Sequence, residues 1–115
     1  EALFHDGRAL LAKGDFEKAV ERLKGCVWLD PEKAVYHHYL GMAESEMPKL
    51  RKSAERHFLK AIELNKMTTA SRLELARLYI KVELWRKAEL QLQELMRWDP
   101  ENSEVQKLLT ELKKH

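Results

Sequence analysis

Apolar residues return along this chain at helical spacing, in blocks of about a dozen residues separated by short polar breaks. Leu3, Phe4, Ala9, Leu10 and Leu11 predict a first helix from Ala2 to Lys13. Gly14-Asp15 breaks it, Gly for a backbone state other residues reach at a cost and Asp as the cap of the next helix. Ala19, Val20, Leu23, Cys26 and Val27 give a second helix from Phe16 to Leu29, stopped by Asp30-Pro31. A third is predicted over Ala34 to Glu46, with a turn at Pro48. Ala54, Phe58, Ala61 and Ile62 mark a fourth over Arg51 to Leu64, closed by Asn65-Lys66. The fifth runs from Thr69 to Lys81, and the sixth from Trp85 to Trp98 before Asp99-Pro100. The seventh covers Ser103 to Lys113, with Leu108, Leu109 and Leu112 on one side and charges on the other. No strand pattern or flexible linker interrupts the series.

The helices are copies of one another. Gly7 to Gly41 is 34 positions and Gly41 to Ala76 is 35; Ala19 to Ala54 is 35 and Ala54 to Ala88 is 34. A fixed period of this length marks a helical solenoid, in which each repeat buries its apolar face only against its neighbours. Small residues recur where helices would cross: Gly7, Gly41 and Ala76 in first helices, Ala19, Ala54 and Ala88 in second helices. Cys26, Ala61 and Leu95 share a later position, and Pro31 and Pro100 share the closing one. Leu23, Phe58 and Leu92 fill one large packing slot. Leu10 and Tyr79 fill another, where the second repeat instead has Glu44. That repeat also carries one extra residue near Pro48 and lacks the closing Pro.

These residues resemble the tetratricopeptide repeat (TPR) family over essentially the whole chain. The resemblance implies an all-α, right-handed α–α superhelical solenoid of seven helices. Repeat one would span 1–33, repeat two 34–67, repeat three 68–102, and a capping helix 103–115. It also implies a concave face lined by the first helix of each pair. Phe4, His5, Arg8 and Leu11 should face it from repeat one, Val35, His38, Tyr39 and Met42 from repeat two, and Leu73, Glu74, Arg77 and Ile80 from repeat three. Aromatic, aliphatic and Arg side chains together suit a protein partner, since aromatics and Arg supply much of the contact energy at interfaces. Arg8 and Arg77 could each fork onto a carboxylate. The expected partner is therefore a peptide or helix with apolar anchors and an acidic residue. Some TPR domains clamp the terminal carboxylate of a chaperone with Lys, Asn and Arg. The equivalent positions here are Phe4, Arg8, Tyr39, Ala70 and Glu74, with no Asn and one repelling acid, so that mode is not expected.

Composition narrows the alternatives. The chain has 115 residues, one domain's worth, with 35% charged residues and a formal net charge of +2, too balanced for a nucleic-acid footprint. The single cysteine, Cys26, excludes an internal disulfide and sits at a packing slot, as a small hydrophobe rather than a nucleophile. No apolar run is long enough to span a membrane. Five histidines occur without HExxH, CxxC or i, i+4 pairing, so they are expected on the surface, with no metal or cofactor. Trp85 and Trp98 are expected in the core and Trp28 outside it. No carboxylate pair stands out as an acid–base couple, and no enzyme is expected. The chain opens inside a helix without an initiator Met, which suggests a piece of a longer protein. The general resemblance is to TPR segments of bacterial multidomain proteins, in a cytoplasmic setting. The alternatives are self-association through the apolar end of helix 1, as a homodimer or spacer, and a helper domain for an enzyme or chaperone elsewhere in the full chain.

Overall fold

The computed structural model describes residues 1–115 and is entirely helical. Its elements are α1 (Ala2–Lys13), α2 (Phe16–Leu29), α3 (Ala34–Ser45), a 3-10 turn (Pro48–Leu50), α4 (Arg51–Leu64), α5 (Thr69–Lys81), α6 (Trp85–Trp98) and α7 (Ser103–Leu112). The predicted bounds are reproduced except at two C-terminal ends, where α3 and α7 each stop one residue early. The residues fall into two compact units, Glu1–Thr68 and Thr69–His115.

The backbone repeats as the sequence does. Each second helix ends on a polar residue whose N–H donates four residues back: Asp30 to Cys26, Asn65 to Ala61 and Asp99 to Leu95. The φ/ψ values at these three residues are −147/84, −142/88 and −140/72. Three residues on, Lys33, Thr68 and Asn102 donate back to the carbonyls of Asp30, Asn65 and Asp99. Asn65 thus makes the same turn as the two Asp-Pro pairs without the proline.

The turns inside the pairs differ more. Gly14 closes α1 in the left-handed conformation at φ 83, with its N–H on Leu11 and that of Asp15 on Leu10, and Asp15 then caps α2 by accepting from the Lys18 N–H. At the equivalent turn after α5, Glu83 takes φ 63 and repeats the pattern, its N–H on Ile80 and that of Leu84 on Tyr79. In the middle pair the 3-10 turn at Pro48 absorbs the extra residue.

In the first unit Ala19, Val20, Leu23, Leu40 and Ala43 form a buried cluster, with Phe4, Leu10, Leu11, Val27, Tyr39, Met47 and Leu50 packed on it. The small first-helix residues are small because a large second-helix residue lies against them. A Cβ on Gly7 would meet Leu23, and one on Gly41 would meet the Phe58 ring, each at 2.8 Å. The second unit buries Leu75, Ala76, Tyr79, Ala88, Leu92, Leu95, Val105 and Leu112. Cys26 is buried, and burial raises its thiol pKa, the main cause, as expected of an inert packing residue. Ala9, assigned to an apolar face by spacing, is exposed. Trp28 is 84% exposed. Trp85 and Trp98, expected in the core, are only half-buried, covered in part by polar side chains: Trp85 stacks on His115 at 3.9 Å and Trp98 lies under Arg72 at 4.8 Å.

Candidate functional site

In the first unit the α1 and α3 side chains meet in an aromatic cluster. The Phe4 ring centroid lies 5.0 Å from that of Tyr36 and 5.5 Å from that of Tyr39, in tilted and edge-on geometries that the ring quadrupoles favour. One turn along α1, Arg8 lays its guanidinium over Phe4 at 5.5 Å and over Tyr39 at 5.1 Å. Arg8 is exposed and makes no ion pair. His38 meets Tyr39 edge-on at 5.0 Å and Phe58 at 6.1 Å. Burial holds the His38 imidazole below its ordinary pKa, favouring the neutral ring. Leu11 and Met42 are half-buried, while His5 and Val35 are exposed.

Tyr36 and Lys33 were not among the expected site residues. Tyr36 is buried beneath Phe4, and Lys33 places its ammonium 4.9 Å from the Tyr36 ring. Tyr36, and secondarily Glu1 at 3.6 Å, hold that ammonium above its usual pKa. The three-residue spacing of Tyr36 and Tyr39 was the available signal, since it puts both on neighbouring positions of one helix.

In the second unit Leu73, Glu74, Arg77 and Ile80 are all half-buried along α5. Arg77 differs from Arg8 in its surroundings. One of its Nη atoms bonds the Glu74 carboxylate at 2.9 Å, and the other bonds that of Glu104, in the first turn of α7. The expected fork onto a partner's acid is therefore already filled from within the chain.

His5 and His115 are exposed as expected, but His37, His38 and His57 depart from the expectation of surface residues. His37 is 5% exposed, and its Nε2–H donates to the Pro31 carbonyl at 2.7 Å. His57 is mostly covered, with Nδ1 2.7 Å from Glu44 Oε1. Glu44 is fully buried and also accepts from the Ser53 hydroxyl at 2.7 Å. No three His, Cys, Asp or Glu side chains converge as metal ligands. The Glu44 cluster is a satisfied polar contact of α3 with α4, and Ser53 and His57 both point to the acid rather than to each other.

A sequence profile of the tetratricopeptide repeat matches residues 51–112. The chain belongs to the tetratricopeptide repeat family. No curated protein sequence matches it. Among solved structures it is similar to the TPR domain of Arabidopsis OM64, with a TM-score of 0.91 at 20% identity, covering 100% of this chain and 94% of that one. The second TPR domain of human RPAP3, in complex with an HSP70 peptide, gives 0.87 at 19% identity, covering 96% and 92%. The Yersinia enterocolitica type III secretion chaperone SycD, in complex with a peptide of the translocator YopD, gives 0.82 at 16% identity, covering 99% and 86%. At these identities the likeness establishes the fold: three TPR helix pairs followed by α7.

Proposed function

We propose that this TPR chain is a non-enzymatic protein–protein interaction module, an adaptor or scaffold that holds a partner peptide or helix on its first-helix faces. The observation that carries this reading is Arg8, exposed and unpaired above Phe4 and Tyr39. The guanidinium rests near both rings, so a carboxylate can take it bidentately while an apolar neighbour of that acid packs on the ring edges. The partner is thus a segment pairing an acidic side chain with apolar anchors. That human RPAP3 and Yersinia SycD domains of the same fold hold peptides supports the reading. The positions where a chaperone clamp would stand carry Phe4, Arg8, Tyr39, Ala70 and Glu74, which favours a side-chain carboxylate over a terminal one. We place the module in the cytoplasm. No helix is long and apolar enough to cross a membrane.

Self-association through α1 is the second reading. Its apolar end is partly covered from within the chain, because Phe4 packs on Tyr36 and Tyr39, and Leu3 lies where a Cβ on Gly25 would be 2.8 Å away. Peptide-display selection against the wild-type chain and Arg8→Glu separates the two. A consensus of apolar residues with an acid, lost in Arg8→Glu, is the expected result. A folded, monomeric chain that enriches no peptide would sink the module reading. A dimer dispersed by charging Leu3 or Phe4 would replace it with self-association.

A further inference from the structure

Glu104 does to Arg77 what a partner's acid is expected to do to Arg8. Arg8 and Arg77 are 69 positions apart and occupy the same register of their first helices. Arg77, however, is bonded by Glu74 from its own helix and by Glu104 from α7. Two carboxylates on one guanidinium leave a net negative charge there, which repels a further acid. Glu74 alone would neutralise Arg77, so the second carboxylate is not needed for charge balance. The Arg77 side chain is 39% exposed and that of Glu104 48%, so water and ligand both reach the pair, and an exposed pair is weak. Glu104 also sits in the first turn of α7, where the helix N-terminus favours a negative charge with or without Arg77. Letting go of Arg77 therefore leaves Glu104 stabilised, while α7 stays anchored by buried Val105 and Leu112.

We propose that Glu104 is an intramolecular competitor for Arg77, so that α7 suppresses acid binding on the α5 face until a ligand displaces it. The proposal rests on the interaction-module reading and concerns a different arginine from the one that carries that reading. An acid-bearing segment docking along α5 must exchange its carboxylate for that of Glu104, and its apparent affinity is lowered by the strength of the internal pair.

The test uses a fluorescein-labelled octapeptide of alternating leucine and glutamate, blocked at both ends, and its leucine–glutamine counterpart, with anisotropy as the readout. It is run in an Arg8→Gln background, where the α1 face is disabled. Adding Glu104→Gln should tighten the acidic peptide about two- to five-fold, the range an exposed ion pair can supply. The glutamine peptide should be unaffected, and the gain should vanish when Arg77→Gln is added. No gain from Glu104→Gln would overturn the proposal. So would an equal gain without Arg77, which would mark a general effect of net charge. Failure of the module reading appears separately, as a wild-type chain whose preference for the acidic peptide is unchanged by Arg8→Gln.

Discussion

Glu44 occupies the register that Leu10 and Tyr79 fill in the other repeats, and the chain makes a buried acid tolerable there with two partners on the following helix. Glu44→Ala should lower stability by about 3 kcal/mol, because it opens a void and strands the Ser53 and His57 donors. Ser53→Ala should cost about 1 kcal/mol. Replacing the trio together, as Glu44→Leu/Ser53→Ala/His57→Leu, should recover most of the loss, since apolar groups of similar volume need no partner. Urea unfolding of the three variants checks the order. Register reveals the anomalous Glu44, but its partners lie nine and 13 residues away, and only the packing of α3 on α4 brings them to it. His38 gives a separate pH signature. Its folded pKa lies below the ordinary 6.5, so on acidification the unfolded chain takes the proton first. Its contribution is complete above that value and is lost as the pH falls from about 6.5 towards the folded pKa. His38→Phe should flatten this part of the profile of midpoint against pH, and an unchanged slope would rule the effect out.

The helices were legible because periodicity and breakers point to the same boundaries, reinforced by side-chain caps at Asp15 and Asn102. The 3-10 turn was marked only by Pro48 and the extra residue in repeat two. Nothing about a glutamate announces positive φ, so the left-handed residue Glu83 was marked only by its register. Its position equivalent to Gly14 makes the physical case clear. A side chain in that conformation costs about 1 kcal/mol, and glycine removes the cost while adding entropy to the unfolded chain. Glu83→Gly should therefore be neutral or stabilising by up to about 1 kcal/mol, measured as a shift in unfolding midpoint, whereas Gly14→Glu should destabilise by a similar amount. Gly41→Ala tests the opposite constraint. Its Cβ would press on the fully buried Phe58 ring, a strain of about 1–3 kcal/mol that outweighs the ~1 kcal/mol gained in helix propensity. A stabilised Gly41→Ala variant would show that the ring can yield.

At the scale of the whole molecule the charges nearly cancel, with 21 Lys and Arg against 19 Asp and Glu, so no long-range field draws an acidic partner in. On the proposed reading, specificity then depends on which individual cations are free to pair. Register made Arg8 and Arg77 equivalent, and to this extent the proposed site was legible. What it hid is who already holds each one. Glu74 is readable at i−3 from Arg77, but Glu104 comes 27 residues later and reaches Arg77 only through the placement of α7. The consequence is an asymmetry. Arg8→Glu should weaken binding of an acid-bearing peptide selected against the wild-type chain by about tenfold or more, as expected when a charge-assisted fork becomes a repulsion. Arg77→Glu should change it less than about threefold, because the guanidinium it removes was already neutralised within the chain. Salt should act on this binding only weakly. One ion pair against a nearly neutral background is screened over a Debye length of about 10 Å at 0.1 M, so raising salt from there to about 0.5 M should cost a few-fold in affinity rather than decades. Titration calorimetry on both variants at the two salt concentrations decides it. Equal losses in the two variants would mean that the carboxylates on Arg77 give way to the partner as readily as water gives way at Arg8. A steep salt dependence would mean that the acid is read by many cations and not by Arg8 on its aromatic support.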